Sequence, residues 1–133
     1  MLHNCEAREN AVLTGYLPKY TTVDPFDVFS ETHFYDGPPR QLTQNKWAKD
    51  GMPLYSAREI EMNANKLSRP FETVLASGHF IFSHGHLAKV AKHDSSLVNL
   101  YEWEELWMTY TYWKKGFTLY TPTENFIWHK YDD

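Results

Sequence analysis

ASGHFIFSHGHLAKV at 76–90, LYEWEELWMTYTYWKKGF at 100–117 and TLYTPTENFIWHK at 118–130 are the stretches whose reading decides the fold. Together they spell a buried strand, a short helix, a glutamate pair opening a second helix, and a strand ending in histidine. Across 72–83 (ETVLASGHFIFS) the β-branched and aromatic residues thicken into a strand-like run. HLAKVAK at 86–92 is built of good helix formers. The segment 103–115 is the clearest helix, since Trp103, Leu106, Trp107, Tyr110 and Trp113 recur at three- and four-residue spacings. That spacing predicts one aromatic face packed on a sheet containing 77–83 and 117–121. Lys114 and Lys115 suit the negative end of the helix dipole, and Gly116 supplies the C-terminal cap. Beyond it, 117–121 and 125–129 read as short strands around the turn Pro122-Thr123-Glu124-Asn125.

Working outward, AVLTGY at 11–16 reads as a strand stopped by Pro18. From 17 to about 70 the chain reads as irregular, punctuated by Pro25, Gly37-Pro38-Pro39, Gly51 and Pro53. A compact domain rarely carries so much structureless chain, so part of it is expected to be functional loop or substrate surface. The expected class is α/β, a mixed sheet with flanking helices in a single domain over 1–133. Its length of 133 residues suffices for one core, and 42% hydrophobic against 23% charged residues marks it as globular. A formal net charge of -4 offers no basic footprint for nucleic acid. The single cysteine, Cys5, excludes an internal disulfide framework, and nothing near it signals an activated thiol. No apolar run approaches the roughly 20 residues of a membrane span, and MLHNCEAREN lacks the apolar core of a signal peptide.

From Ala11 onward the chain resembles the C-terminal half of a glycosyltransferase domain whose family moves N-acetylglucosamine from UDP-N-acetylglucosamine to polypeptide hydroxyls. The resemblance rests on AVLTGYLP at 11–18, SGHFIFS at 77–83, WEE at 103–105, the turn through Trp113, Gly116 and Phe117, and above all TPTENFIWH at 121–129. It implies a partial nucleotide-sugar-binding fold of the GT-A type, with 11–70 as a loop-rich acceptor-side region and 71–133 as the core. It also implies retention at the anomeric carbon and a divalent cation, Mn²⁺ or Mg²⁺. Its partners would be a UDP-sugar donor and a protein acceptor, without nucleic acid. As written the chain is expected to be soluble, in the cytoplasm or, within a longer protein, the Golgi lumen. Two residues depart from the family pattern: Trp103 and His79 stand where the family has glycine, and either side chain would fill space close to substrate. The family's Asp-x-His motif lies upstream of the matched region, and no Asp-x-His occurs in this chain. The expectation is therefore a fragment or decayed copy that does not turn over alone. The rival reading is a non-catalytic protein- or glycan-binding module derived from such an enzyme.

The resemblance carries roles onto three residues. His129 takes the metal-ligand position, where a neutral imidazole can bind a divalent cation beside a diphosphate. The bland alternative is a histidine hydrogen-bonded among Trp128 and Tyr131. Glu104 and Glu105 match the acidic pair that contacts donor sugar or acceptor hydroxyl, although acids in a first helical turn are favoured by the macrodipole alone. Of the two, Glu104 is preferred as the ligand-facing residue because it lies nearer the helix start. His79, His84 and His86 read as a turn before a helix rather than a metal site, since no third ligand stands at a recognised spacing. Most of the aromatic residues are expected in the core, and only Tyr20, Phe34, Tyr35 and Trp47 are candidates for acceptor binding.

Overall fold

The computed structural model describes residues 1–22, 31–60, 68–96 and 103–131. Its element order is β1 (Ala11–Thr14), β2 (Tyr20–Thr22), β3 (Thr32–Phe34), β4 (Arg40–Trp47), β5 (Pro53–Glu59), β6 (Phe71–Glu72), β7 (Ile81–Ser83), α1 (Leu87–Val90), α2 (Glu104–Lys114) and β8 (Thr118–Thr121), with two short 3₁₀ turns before β1. The main sheet has four strands in the order β6-β8-β1-β7. β1 runs parallel to β8, with Val12 opposite Leu119, and antiparallel to β7, with Leu13 opposite Phe82. The expected α/β class with a mixed sheet is what the chain adopts.

Every residue of β1 is buried because the sheet is covered on both faces. Successive side chains alternate between those faces. Val12 and Leu119 join Ala76, Leu87, Met108, Tyr112 and Phe117 under the helices. Ala11, Leu13 and Tyr120 join Cys5 on the other face, where Met1, Leu2 and Phe80 close over them. Two satellite hairpins, β2–β3 and β4–β5, stand outside this sheet. No helix among the described residues is long and apolar enough to cross a membrane.

Several sequence expectations need correction. The region 17–70 is not structureless where it is described, for β4 and β5 pair over most of their length, with a register shift between Gln44 and Lys46. Its parts 23–30 and 61–67 lie outside the described residues. Asp50 and Gly51 make the turn: the Met52 N–H donates to Asp50 Oδ1 at 3.1 Å, and Gly51 takes a φ of 84°. The run 72–83 is strand only at its ends, as β6 and β7. Between them Ser77 and Phe80 bridge across a tight turn at Gly78 and His79. The run 125–129 is not a strand of the sheet. Its Asn125 and Trp128 side chains bond the Gly37 and Tyr35 carbonyls, and His129 bridges Lys19.

The helix at 103–115 is present as α2, but its buried side is not the expected one. Trp103 and Trp107 are each 40% exposed, Tyr110 45% and Trp113 73%, while Met108 and Tyr112 are buried. The inward stripe is Glu105, Met108, Thr109 and Tyr112, which obeys the same three- and four-residue spacing. Its partner is the 76–78 backbone, and there Thr109 Oγ1 accepts the Ala76 N–H at 2.8 Å. A stripe of tryptophans would hold the helix too far off for that bond. The C-terminal cap is as expected: Gly116 has a φ of 81°, its N–H reaches the Trp113 carbonyl at 2.9 Å, and Phe117 N–H reaches Tyr112 at 3.0 Å. That pair of bonds is a Schellman closure, completed by burial of Phe117 in the same cluster as Tyr112.

Candidate functional site

The N-terminal turn of α2 faces the β4–β5 hairpin across a cleft of about 380 Å³. Glu104 and Glu105 line one wall, Leu42, Leu54 and Tyr55 the other, and Tyr16, Gly78 and His79 form the floor. Thr14 Oγ1 accepts the Ser77 N–H at 2.8 Å, which ties the 77–80 turn to the end of β1, one residue before Gly15 leads into Tyr16.

Both glutamates border the cleft, but differently. Glu104 is exposed and stands at the rim, its Oε1 3.5 Å from His93 Nε2. Glu105 is half-buried, and its Oε1 lies within 3.5 Å of where a side chain at Gly78 would stand. Burial pushes the Glu105 carboxyl above its ordinary pKa; the nearby backbone groups oppose this and the Glu104 charge adds to it. Across the cleft, the Tyr55 phenol is raised by burial and then by the negative charge of Glu105. Glu105 is thus the more buried carboxylate of the cleft, although the sequence argument preferred Glu104.

His129 does not line the cleft. It is exposed, with its N–H on the Pro18 carbonyl at 2.9 Å and its own carbonyl accepting from Tyr20 at 3.2 Å. Its ring lies 5.6 Å from that of His79 and 4.5 Å from that of Tyr131. His79 is therefore the link between the glutamates and His129, being a cleft residue on one side and a neighbour of His129 on the other. Its ring stacks on Tyr16 with centroids 4.2 Å apart. Burial, then the nearby His129, lowers the His79 pKa. Sequence reasoning took His79 for a turn residue, gave Tyr16 and Tyr55 no role, and named Tyr131 only as a neighbour of His129. The one signal pointing to His79 was its departure from the family glycine.

Of the loop aromatics, Phe34 and Trp47 are exposed on the outer hairpins, whereas Tyr20 and Tyr35 are partly covered. His84 and His86 make the turn into α1, the Leu87 N–H bonding the His84 carbonyl at 3.0 Å. Among the described residues no group of three His, Cys, Asp or Glu converges to hold a metal ion. Around His129 the described residues therefore do not form a complete cation site.

The whole chain, residues 1–133, matches the family model described as Glycosyltransferase (GlcNAc). The chain belongs to that family. No curated protein and no solved structure matches it. For a glycosyltransferase domain, the combination of a half-buried carboxylate, tyrosine rings and a cleft of this size is the feature with a chemical use. Carboxylates accept strong hydrogen bonds from hydroxyl groups, and a handful of fixed polar groups in an aromatic pocket sets a ligand's orientation.

Proposed function

We propose that this glycosyltransferase domain serves transfer of N-acetylglucosamine from UDP-N-acetylglucosamine to a protein hydroxyl, with the Glu105 cleft holding the sugar or the acceptor group beside it. The observation that carries this reading is the half-buried Glu105 carboxylate, set against Gly78 and lining one cleft with aromatic Tyr55. Transfer forms a bond between the acceptor oxygen and the anomeric carbon and breaks both the acceptor O–H bond and the bond to the diphosphate, which leaves with the electron pair while the hydroxyl proton is released. A glutamate that accepts a hydrogen bond from the reacting hydroxyl, or from a sugar hydroxyl next to the anomeric carbon, fixes the geometry that such a displacement needs. Glu104 at the rim contributes charge and, with His93, a second polar contact.

A divalent cation, when bound, neutralises the leaving diphosphate as a Lewis acid. His129 is the residue of this chain in the family's metal position. The described residues do not by themselves complete a cation site around it. The mixed sheet fits the α/β class of a GT-A fold, and the retained configuration follows from the resemblance to the family. Exposed Phe34 and Trp47 offer a hydrophobic surface beyond the cleft along which an acceptor peptide would lie. Without an Asp-x-His in its sequence, this polypeptide is expected to bind without turning over.

Titration calorimetry with UDP-N-acetylglucosamine, with and without Mn²⁺, tests the reading. Wild type should bind, and Glu105→Gln should bind about tenfold more weakly, the loss expected for a hydrogen bond to a charged group. Equal affinity in the variant would remove Glu105 from the site. Binding of a glycan or protein but of no UDP-sugar would turn the reading to the non-catalytic module.

A further inference from the structure

The Tyr131 hydroxyl lies 2.8 Å from the Leu17 carbonyl oxygen and 3.1 Å from His79 Nδ1. A carbonyl has no hydrogen to give, so two oxygens at that separation are held together only if the phenol hydrogen lies between them. The single Tyr131 hydrogen is then spent on Leu17, and the Tyr131 oxygen can only accept from His79. His79 Nδ1 therefore carries a hydrogen. Tyr16 meets Tyr131 through its ring, with centroids 5.8 Å apart. At about pH 8 an imidazole is neutral, so a hydrogen on Nδ1 leaves a lone pair on Nε2. Among the described residues nothing hydrogen-bonds that Nε2, and the ring borders the cleft that Glu105 enters.

We propose that His79 Nε2 is a fixed hydrogen-bond acceptor in the Glu105 cleft, held in that tautomer by Tyr131, and that the pair of acceptors selects a hydroxyl-bearing ligand over a phosphate. This deepens, and rests on, the reading of the cleft as a sugar-and-acceptor site. Two acceptors facing one cavity, Glu105 carboxylate and His79 nitrogen, reward a ligand that brings O–H or N–H groups and repel anionic oxygens. The diphosphate accordingly lies outside this cleft, and what enters is a sugar hydroxyl or the acceptor hydroxyl. Tyr131 acts as a positioning residue. It touches no ligand, but it decides which ring nitrogen is free.

Nitrogen NMR of the histidine rings at about pH 8, assigned by loss of the His79 signals in His79→Gln, tests this on the full chain. Wild type should show protonated Nδ1 and bare Nε2. Tyr131→Phe should shift the population toward Nε2–H. The Nε2 signal should move on adding UDP-N-acetylglucosamine if the sugar supplies the hydroxyl, or on adding a serine peptide if the acceptor does. UDP alone should leave it in place. His79→Phe, which keeps an aromatic ring against Tyr16, should weaken binding of the responding ligand about tenfold, and His79→Gln, which restores an acceptor oxygen, should recover most of it. A wild-type spectrum with hydrogen on Nε2 overturns the proposal whether or not sugar binds, as does an equal response to UDP alone. The underlying reading fails separately, by absence of any binding to wild type in calorimetry, while the spectrum still decides the tautomer.

Discussion

At the scale of single residues, Glu105 is held in conflict. Its place in the first turn of α2 and the backbone groups near it favour the carboxylate, yet burial outweighs both and raises its pKa. An acid raised in the folded state stabilises the fold in its protonated form. That contribution is complete below the unfolded pKa and disappears as pH rises through the folded one. The expected consequence is pH-dependent: Glu105→Gln, uncharged at every pH, should gain in melting temperature relative to wild type on going from about pH 4 to about pH 7. Thermal unfolding of both proteins across that range is the check. A constant difference would mean that Glu105 is solvated like any surface acid. The His93–Glu104 pair at the rim should add little to stability, since both side chains are largely exposed.

At the scale of elements, α2 shows how far a sequence can be read and where the reading stops. Its existence and its end were legible, because Gly116 answers the need for a positive φ after the last turn. Its orientation was not. Aromatic residues surround the helix, so the spacing of Trp103, Trp107, Tyr110 and Trp113 fits a buried face as well as Met108 and Tyr112 do. The deciding partner, Thr109 on the Ala76 N–H, is a long-range contact that no local pattern announces. Stability separates the two faces experimentally. Met108→Ala should cost about 2–5 kcal/mol as a buried truncation, while Trp113→Ser should stay within about 0.5 kcal/mol of wild type. Urea unfolding of the two variants measures both, and a loss of about 3 kcal/mol or more for Trp113→Ser would restore the aromatic face to the core. At the cap, Gly116→Ala should cost about 1–2 kcal/mol, the strain of a side chain in the left-handed region. The β4–β5 hairpin escaped the sequence reading because RQLTQNKW is mostly polar and buries only Leu42. Asp50-Gly51 was the overlooked sign. Glu104 and Glu105, singled out by their motif, do line the cleft while His129 lies outside it, and His79 is tied to Tyr131, 52 residues away, which no local pattern announces.

At the scale of the whole molecule, the cleft joins parts of the chain that make few contacts otherwise. The hairpin wall comes from 42–55, the carboxylate wall from the start of α2, and the floor from the ends of β1 and the 77–80 turn. Beneath the floor lies a core whose Val12, Leu13 and Ala76 are fully buried. A ligand that touches both walls binds only when hairpin and helix hold their native spacing, so its binding energy adds to the stability of the folded chain. At 100 times its dissociation constant a ligand contributes about 2.7 kcal/mol, a rise in melting temperature on the order of 10 °C for a domain of this size. UDP-N-acetylglucosamine should produce such a rise in wild type at that saturation, and at the same concentration a smaller one in Glu105→Gln. Catalysis should not follow from binding. The sequence carries His129 but no Asp-x-His, so incubation with donor, Mn²⁺ and a serine peptide should release no UDP above a Glu105→Ala control. A stabilised chain without release is the signature of a domain that keeps the recognition half of the reaction. Release above control would show that this chain assembles the diphosphate site from residues outside the family motif, and the division between recognition and turnover drawn here would have to be abandoned.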